Sequence, residues 1–212
     1  MDIQEAFEVL NQQGWKLLVQ HLKLVGISLS LSIIIALVLG ISVTRYPFNK
    51  WMPQIVSFLN AAQGVPSLAV VAIFLPIMGV GVLPAIVALT LYGLLPIARN
   101  TIAGIEGIDP DILEAAKGMG MPSRDVFWKV ELPLALPVII AGIQTSAVLI
   151  VGTAIIADLI GAGGLGRLIF TGINHYKPFI TLLGSLMAAG IAIILDQGIG
   201  FIQRRLTSAY RD

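Results

Sequence analysis

The 212-residue chain contains no cysteine. That removes disulfides, thiolate catalysis and cysteine metal sites together, although it does not identify a compartment. Histidine is nearly as scarce. His21 and His175 stand far apart without an HExxH or similar partner, and read as interfacial or hydrogen-bonded residues, not ligands. Charge is sparse too: 12% of residues are charged, against about 25% in a soluble domain. The formal net charge of +1 is far from the basic balance of a nucleic-acid binder. No P-loop, GxSxG elbow or paired-carboxylate constellation is present. No catalytic residue, metal site or cofactor is therefore assigned to this chain.

What is present is apolar. Hydrophobic residues make up 57% of the chain and the mean hydropathy is +0.91. A bilayer core takes about 20 apolar residues in helical form, and five stretches qualify: about Leu22 to Val43, Ile55 to Met78, Pro84 to Ile105, Leu134 to Ile156 and Phe179 to Ile202. Backbone hydrogen bonds must be met internally in lipid, so these runs should be helices. The alternating ten-residue segments of a β-barrel are absent. The expected fold is an all-α polytopic membrane protein, one domain over residues 1–212 with its core at about 20–203. The start, "MDIQEAFEVLNQQGW", is acidic where a cleaved signal needs basic residues. Its apolar Ile3, Ala6, Phe7, Val9 and Leu10 suit a short external amphipathic helix within residues 1–20.

Orientation follows from the basic residues. Arg45, Lys50, Arg99, Lys117, Arg124, Lys129, Arg204, Arg205 and Arg211 fall on one side; Lys16, Lys23, Arg167 and Lys177 fall on the other. The richer side is the cytoplasmic one, which places the N-terminus outside and the C-terminus inside.

The polar segment at 106–133 is then a cytoplasmic loop. Asp109 can cap a helix, Pro110 suits its first position, and Asp111 favours its positive end. That helix should run through Lys117 and stop at Gly118 and Gly120. Ser123 can cap a second short helix to about Val130, and Pro133 and Pro137 would bend the chain into the fourth span. Phe127 and Trp128, set among charges, suit a membrane interface or a protein contact.

The spacing within this loop is specific. Glu114-Ala115-Ala116 is followed after three residues by Gly120, after nine more by Val130, and one further on by Leu132-Pro133. This resembles the EAA loop of ABC importer permeases, with Val130 where isoleucine is usual. "QGVPSLAVVAIFLPIMGVG", "PAIVALTLYGLLPIARNT" and "IVGTAIIADLIGAGGLGRLIF" look like the membrane subunits of the osmoprotectant branch, which carry glycine betaine, carnitine or choline. The resemblance implies a type I permease fold in a bacterial or archaeal cytoplasmic membrane. Glu114 to Gly120 would be the knob entering an ATPase subunit, and Val130 to Pro133 the anchor returning to the membrane. It further implies that ATP and magnesium are bound by separate ATPase subunits. An extracytoplasmic binding protein would deliver the solute. Five helices hardly enclose a path, so a second copy or a related permease should complete it.

"GAGGLG", Gly161 to Gly166, formally matches GxGxxG, but an apolar span precedes it and Leu186 stands where a dinucleotide site needs an acid. It reads as a tight external turn whose glycines let backbones pack closely. The family resemblance adds another role for Gly161, Gly163, Gly164, Gly166 and Arg167, an external gate or binding-protein contact. Gln63, Ser67, Tyr92 and Gln144 are candidates to line a path, although each also suits an interhelical hydrogen bond. Asp196 inside the fifth span and Asp158 at the end of the fourth should face protein or water. The small residues Gly184, Ala188, Ala192 and Gly200 recur with Asp196 as a ridge for close packing. No aromatic cage is clustered in a span, which suggests that tight solute selection occurs on another protein. The rival readings are a methionine or other amino-acid permease, an ion- or proton-coupled carrier using Asp158 and Asp196, and a structural membrane subunit. A carrier would have no reason to keep an EAA-spaced loop.

Overall fold

A computed structural model describes residues 8–45 and 47–208, and among these it contains helices and turns without a strand. Ile3, Ala6 and Phe7 lie outside the described residues. The first helix, α1 (Leu10–Val43), is 34 residues long. It opens with a π-helical turn at Leu10–Gly14 and runs unbroken thereafter. The expected separation between a surface helix and the first span is therefore not seen from Val9 onward. No proline interrupts this stretch. At 1.5 Å per residue, α1 is about 50 Å long, well beyond a hydrocarbon core of about 30 Å.

The second apolar run differs more from expectation. It forms two helices, α2 (Met52–Gln63) and α3 (Ser67–Met78), meeting at 97°. The break is Gly64-Val65-Pro66. Pro66 has no N–H to continue α2 and adopts an extended conformation, φ −57° and ψ 134°, just before α3. Among the described residues, by length and composition, four helices can each cross a membrane, or five spans exist if this bent pair counts as one.

Next come α4 (Val82–Glu106), α5 (Pro110–Gly118), α6 (Ser123–Ile160), α7 (Gly166–Asn174) and α8 (Pro178–Ser208). Two loop expectations are corrected here. Ser123 is the first residue of its helix and not its cap; Pro122 precedes it and no side chain caps the end. The short second helix is not separate either. It continues through a π-helical turn at Phe127–Glu131 into the fourth span. Pro133 lies in the first turn of the α-helical segment that follows, where its missing N–H is tolerated, and Pro137 lies inside it without ending it.

The centre of the bundle is α4, packed between α1 and α6. Close approach depends on small residues. A Cβ on Gly93 would lie 2.4 Å from Cδ1 of Ile150, and one on Gly142 would lie 2.7 Å from Cβ of Asn100. Without a hydrophobic drive between helices in lipid, such packing and interhelical hydrogen bonds must supply the association. Ser32 Oγ donates to the Thr90 carbonyl at 2.8 Å, and Ser146 Oγ donates to the Gly93 carbonyl at 2.6 Å. Around them Ala85, Ala88, Leu89, Ile150 and Ala154 are fully buried. Helix α8 lies against α6 and α7 through the predicted small-residue ridge. Ala188 is buried, and a Cβ on Gly184 would meet Ile169 at 2.9 Å.

The bundle has two distinct ends. Arg45 after α1, the 107–122 connection, Glu131 and the last turns of α8 gather at one end; Gln203 Nε2 donates to the Pro137 carbonyl there at 2.8 Å. The start of α1 and the Gly161–Gly166 turn share the other, where the Gly81 N–H reaches the Ile160 carbonyl at 2.7 Å. Outward side chains such as Ile34, Val38, Ile73, Ile77 and Ile194 are exposed and apolar, as a surface facing lipid or another subunit requires.

Candidate functional site

The first helix of the polar loop is built as its cap predicts. Asp109 accepts a hydrogen bond from the Asp111 N–H at 3.0 Å, opening α5. Gly120 closes the turn with φ +79°, a left-handed conformation that glycine adopts without penalty. On α5, Leu113 turns inward to the cluster of Ile105, Ile108, Ala135 and Ile139, and Ala116 is buried. Glu114 and Ala115 are exposed, while Val130, Leu132 and Pro133 are half-buried. One helix face is thus fixed to the bundle, and the Glu114 face is free.

An anchor the sequence did not reveal holds the loop down. Glu131, buried beneath the loop, pairs with Arg45 from the end of α1. The Arg45 guanidinium also lies 4.9 Å from the centroid of the Phe127 ring, which meets Trp128 edge-on at 5.1 Å. Arg45 and Glu131 are 86 positions apart, and no periodicity links them. Replacing Arg45 with alanine leaves a buried carboxylate uncompensated, a loss on the order of 3 kcal/mol for a buried pair. The 38% exposure of Arg45 reduces it. We expect Arg45→Ala to lower the melting temperature and speed proteolysis within 109–131, and Arg45→Ala with Glu131→Gln to recover most of the loss. Strictly additive losses would show that the pair does not hold the loop.

At the opposite end, Gly161, Gly163 and Gly164 all have φ near +80°. The Gly164 N–H donates to Gln20 Oε1 at 3.3 Å, and a Cβ on Gly164 would meet the His21 ring at 3.2 Å. His21 is correspondingly fully buried, with neither ring nitrogen hydrogen-bonded, so the expectation of an interfacial or hydrogen-bonded residue is corrected. His175 is exposed, its Nδ1 2.9 Å from the Thr171 carbonyl. Arg167 pairs with Asp158 at 3.4 Å. A cavity of about 560 Å³ lies beside this turn, lined by Gln12, Lys16, Gln20, Gly163 and Arg167 among others.

The four path candidates do not converge. Gln63 and Tyr92 share a cavity of about 220 Å³ with Arg99, Asn100 and Thr145. Ser67 begins α3 outside it, and Gln144 Nε2 instead donates to Asp196 Oδ1 at 2.6 Å, between α6 and α8. Arg99, counted with the loop charges from sequence, lies inside α4. Its position within the apolar run from Pro84 to Ile105 was the signal that it belongs to the span.

Residues 24–208 match the family described as "Binding-protein-dependent transport system inner membrane component". The chain is 43% identical over 188 residues to the glycine betaine/carnitine/choline transport system permease protein OpuCB of Bacillus subtilis (strain 168), covering 89% of this chain and 86% of that protein. It is 42% identical to the choline transport system permease protein OpuBB of the same organism, with 95% and 94% covered. The osmoprotectant import permease protein OsmW of Salmonella typhimurium is 40% identical, with 94% and 95% covered. An inward-facing structure of the MetNI methionine ABC transporter superposes with a TM-score of 0.81 over 96% of this chain and 98% of that one. At 21% identity this likeness shows a common fold. A multi-pass helical bundle, an EAA-spaced loop at one of its ends and a family match over nearly the whole chain agree: the chain belongs to the binding-protein-dependent transport system inner membrane components, the permease subunits of ABC importers.

Proposed function

We propose that this chain forms the translocation path of an ATP-driven importer for an osmoprotectant such as glycine betaine, carnitine or choline. The observation that carries the reading is near-full-length identity of 40–43% with permeases named for those solutes. A second copy or a related permease completes the path, and an extracytoplasmic binding protein delivers the solute. The loop end faces the cytoplasm, where Glu114, Ala115, Ala116 and Gly120 enter a cleft of the ATPase subunit that binds ATP and magnesium. Val130, Leu132 and Pro133 return the chain to the membrane.

The geometry supports a mechanical role. Helix α6 runs 38 residues without a break from the base of the loop to the Gly161 turn, about 57 Å. A displacement of the loop on ATPase closure is thereby carried to the opposite end, where Asp158 on α6 holds Arg167 on α7. That lever tilts the bundle between inward-open and outward-open states. Gly161, Gly163, Gly164 and Arg167 then form the external gate or binding-protein contact.

The test is ATP-dependent uptake by the complex reconstituted with its ATPase and binding protein, using betaine, carnitine, choline and methionine. Uptake of at least one quaternary ammonium solute is expected; methionine uptake without any of them overturns the substrate reading. In the same assay Asp196→Asn should retain uptake, since the Gln144 amide can hydrogen-bond an asparagine as well as a carboxylate. If uptake at constant ATP collapses with an uncoupler, Asp196 serves a proton-coupled carrier instead.

A further inference from the structure

Arg99 sits in α4 about two helical turns, ~10 Å, before Glu106 at its end. It is exposed on the surface of this chain. Its guanidinium donates to Gln63 Oε1 at 3.4 Å, and among the described residues no carboxylate lies within ion-pair distance of it. Arg45 at one end of the bundle and Arg167 at the other each have a carboxylate partner. A guanidinium at this depth cannot rest against lipid tails, so the face that carries it must meet water or protein.

The cavity beside it has two chemically different poles. Arg99 offers a planar fork that binds a carboxylate through two parallel hydrogen bonds. Tyr92 lies seven residues earlier on the same helical face and lines the same cavity. At that end the tyrosine ring offers a surface for a quaternary ammonium. Pro96 has no N–H for the Tyr92 carbonyl, so this backbone oxygen is left without its helical donor on the same wall. The volume, about 220 Å³, suits a small solute and falls below that of drug-sized pockets.

We propose that Arg99 holds the carboxylate of a zwitterionic solute inside the membrane, with the Tyr92 end receiving its quaternary ammonium. The path itself then distinguishes carboxylate-bearing solutes from choline, which satisfies one pole only. This rests on the importer reading above.

The test uses the reconstituted complex with wild-type permease, Arg99→Gln and Arg99→Lys, each normalised to inserted permease. Initial ATP-dependent rates are measured for glycine betaine, carnitine and choline. Arg99→Gln should lower betaine and carnitine uptake by at least about tenfold and choline uptake by less than about twofold, while Arg99→Lys, which keeps the charge but not the fork, restores part of the loss. Equal loss for all three solutes would assign Arg99 to folding or subunit contact, and unchanged betaine uptake would remove it from the path; either overturns the proposal. Where the wild type takes up no choline, Arg99→Lys and Arg99→Gln are compared on betaine, and equal rates overturn it. A wild-type complex that takes up none of the three fails earlier, at the importer reading, and the proposal falls with it.

Discussion

Glu114→Lys and Gly120→Val are each expected to abolish solute-stimulated ATP hydrolysis and ATP-driven uptake while the permease remains inserted. The two act differently. Glu114 is exposed on α5, whose other face is packed against the bundle through Leu113 and Ala116. Reversing its charge disturbs nothing inside this chain and alters only the exposed surface of the loop. Gly120 has open space around it, since nothing lies within 4 Å of a Cβ built there. Its restriction is conformational: at φ +79° a side chain costs about 1–2 kcal/mol, and more for a β-branched one. The turn would relax, breaking the hydrogen bond from the Met121 N–H to the Ala116 carbonyl and turning α5 away from its position. Gly120→Ala should give a partial loss. Stimulated hydrolysis at the wild-type rate in both Glu114→Lys and Gly120→Val would remove the loop from coupling.

The loop was the most legible part of the molecule because its signals are local. Caps, a left-handed glycine and a short helix are decided within a few residues, and Asp109 and Gly120 take the roles their types suggest. Span existence was legible for the four runs that form single long helices, because about twenty apolar residues have few alternatives in lipid; the run from Ile55 to Met78 is the exception. What stayed hidden depends on residues distant in sequence. Gly64-Val65-Pro66 was in view, but hydropathy averages over it and cannot report a 97° turn. His21 is buried where the Gly164 turn closes on α1, and the Arg45–Glu131 pair joins the end of α1 to the base of α6. The convergence of Gln63 and Arg99 likewise required α2 to end beside α4. The sequence predicted small residues on α8 to pack closely, and Gly184, Ala188 and Gly200 do; a four-residue repeat drifts about 40° per step around the helix, so Gly184 meets Ile169 of α7 while Gly200 meets Gln144 of α6.

Gly166→Ala is expected to cause a severe loss of folded permease for reasons unrelated to gating. A Cβ at Gly166 would lie 2.1 Å from the Ile155 carbonyl oxygen and 2.8 Å from Cβ of Asp158. The first obstacle is backbone in the last turns of α6, which cannot rotate away as a side-chain tip would. Overpacking of this kind costs about 1–3 kcal/mol when a core can adjust, and here α6 and α7 would have to separate. The displacement would also strain the Asp158–Arg167 pair. Gly161→Ala should be milder despite its φ of +77°, since its nearest neighbour is 4.0 Å away. Gly152→Ala, helical and with nothing within 4 Å, should leave the protein unchanged or slightly stabilised. Detergent-solubilised yield and melting temperature, compared across the three, check the order. A wild-type yield and melting temperature for Gly166→Ala would mean that α6 and α7 are not packed this closely. The proposed contact with a binding protein must accordingly be tested at Arg167, whose side chain is 55% exposed, because loss of uptake in a Gly166 variant would report a broken helix junction and not a missing partner.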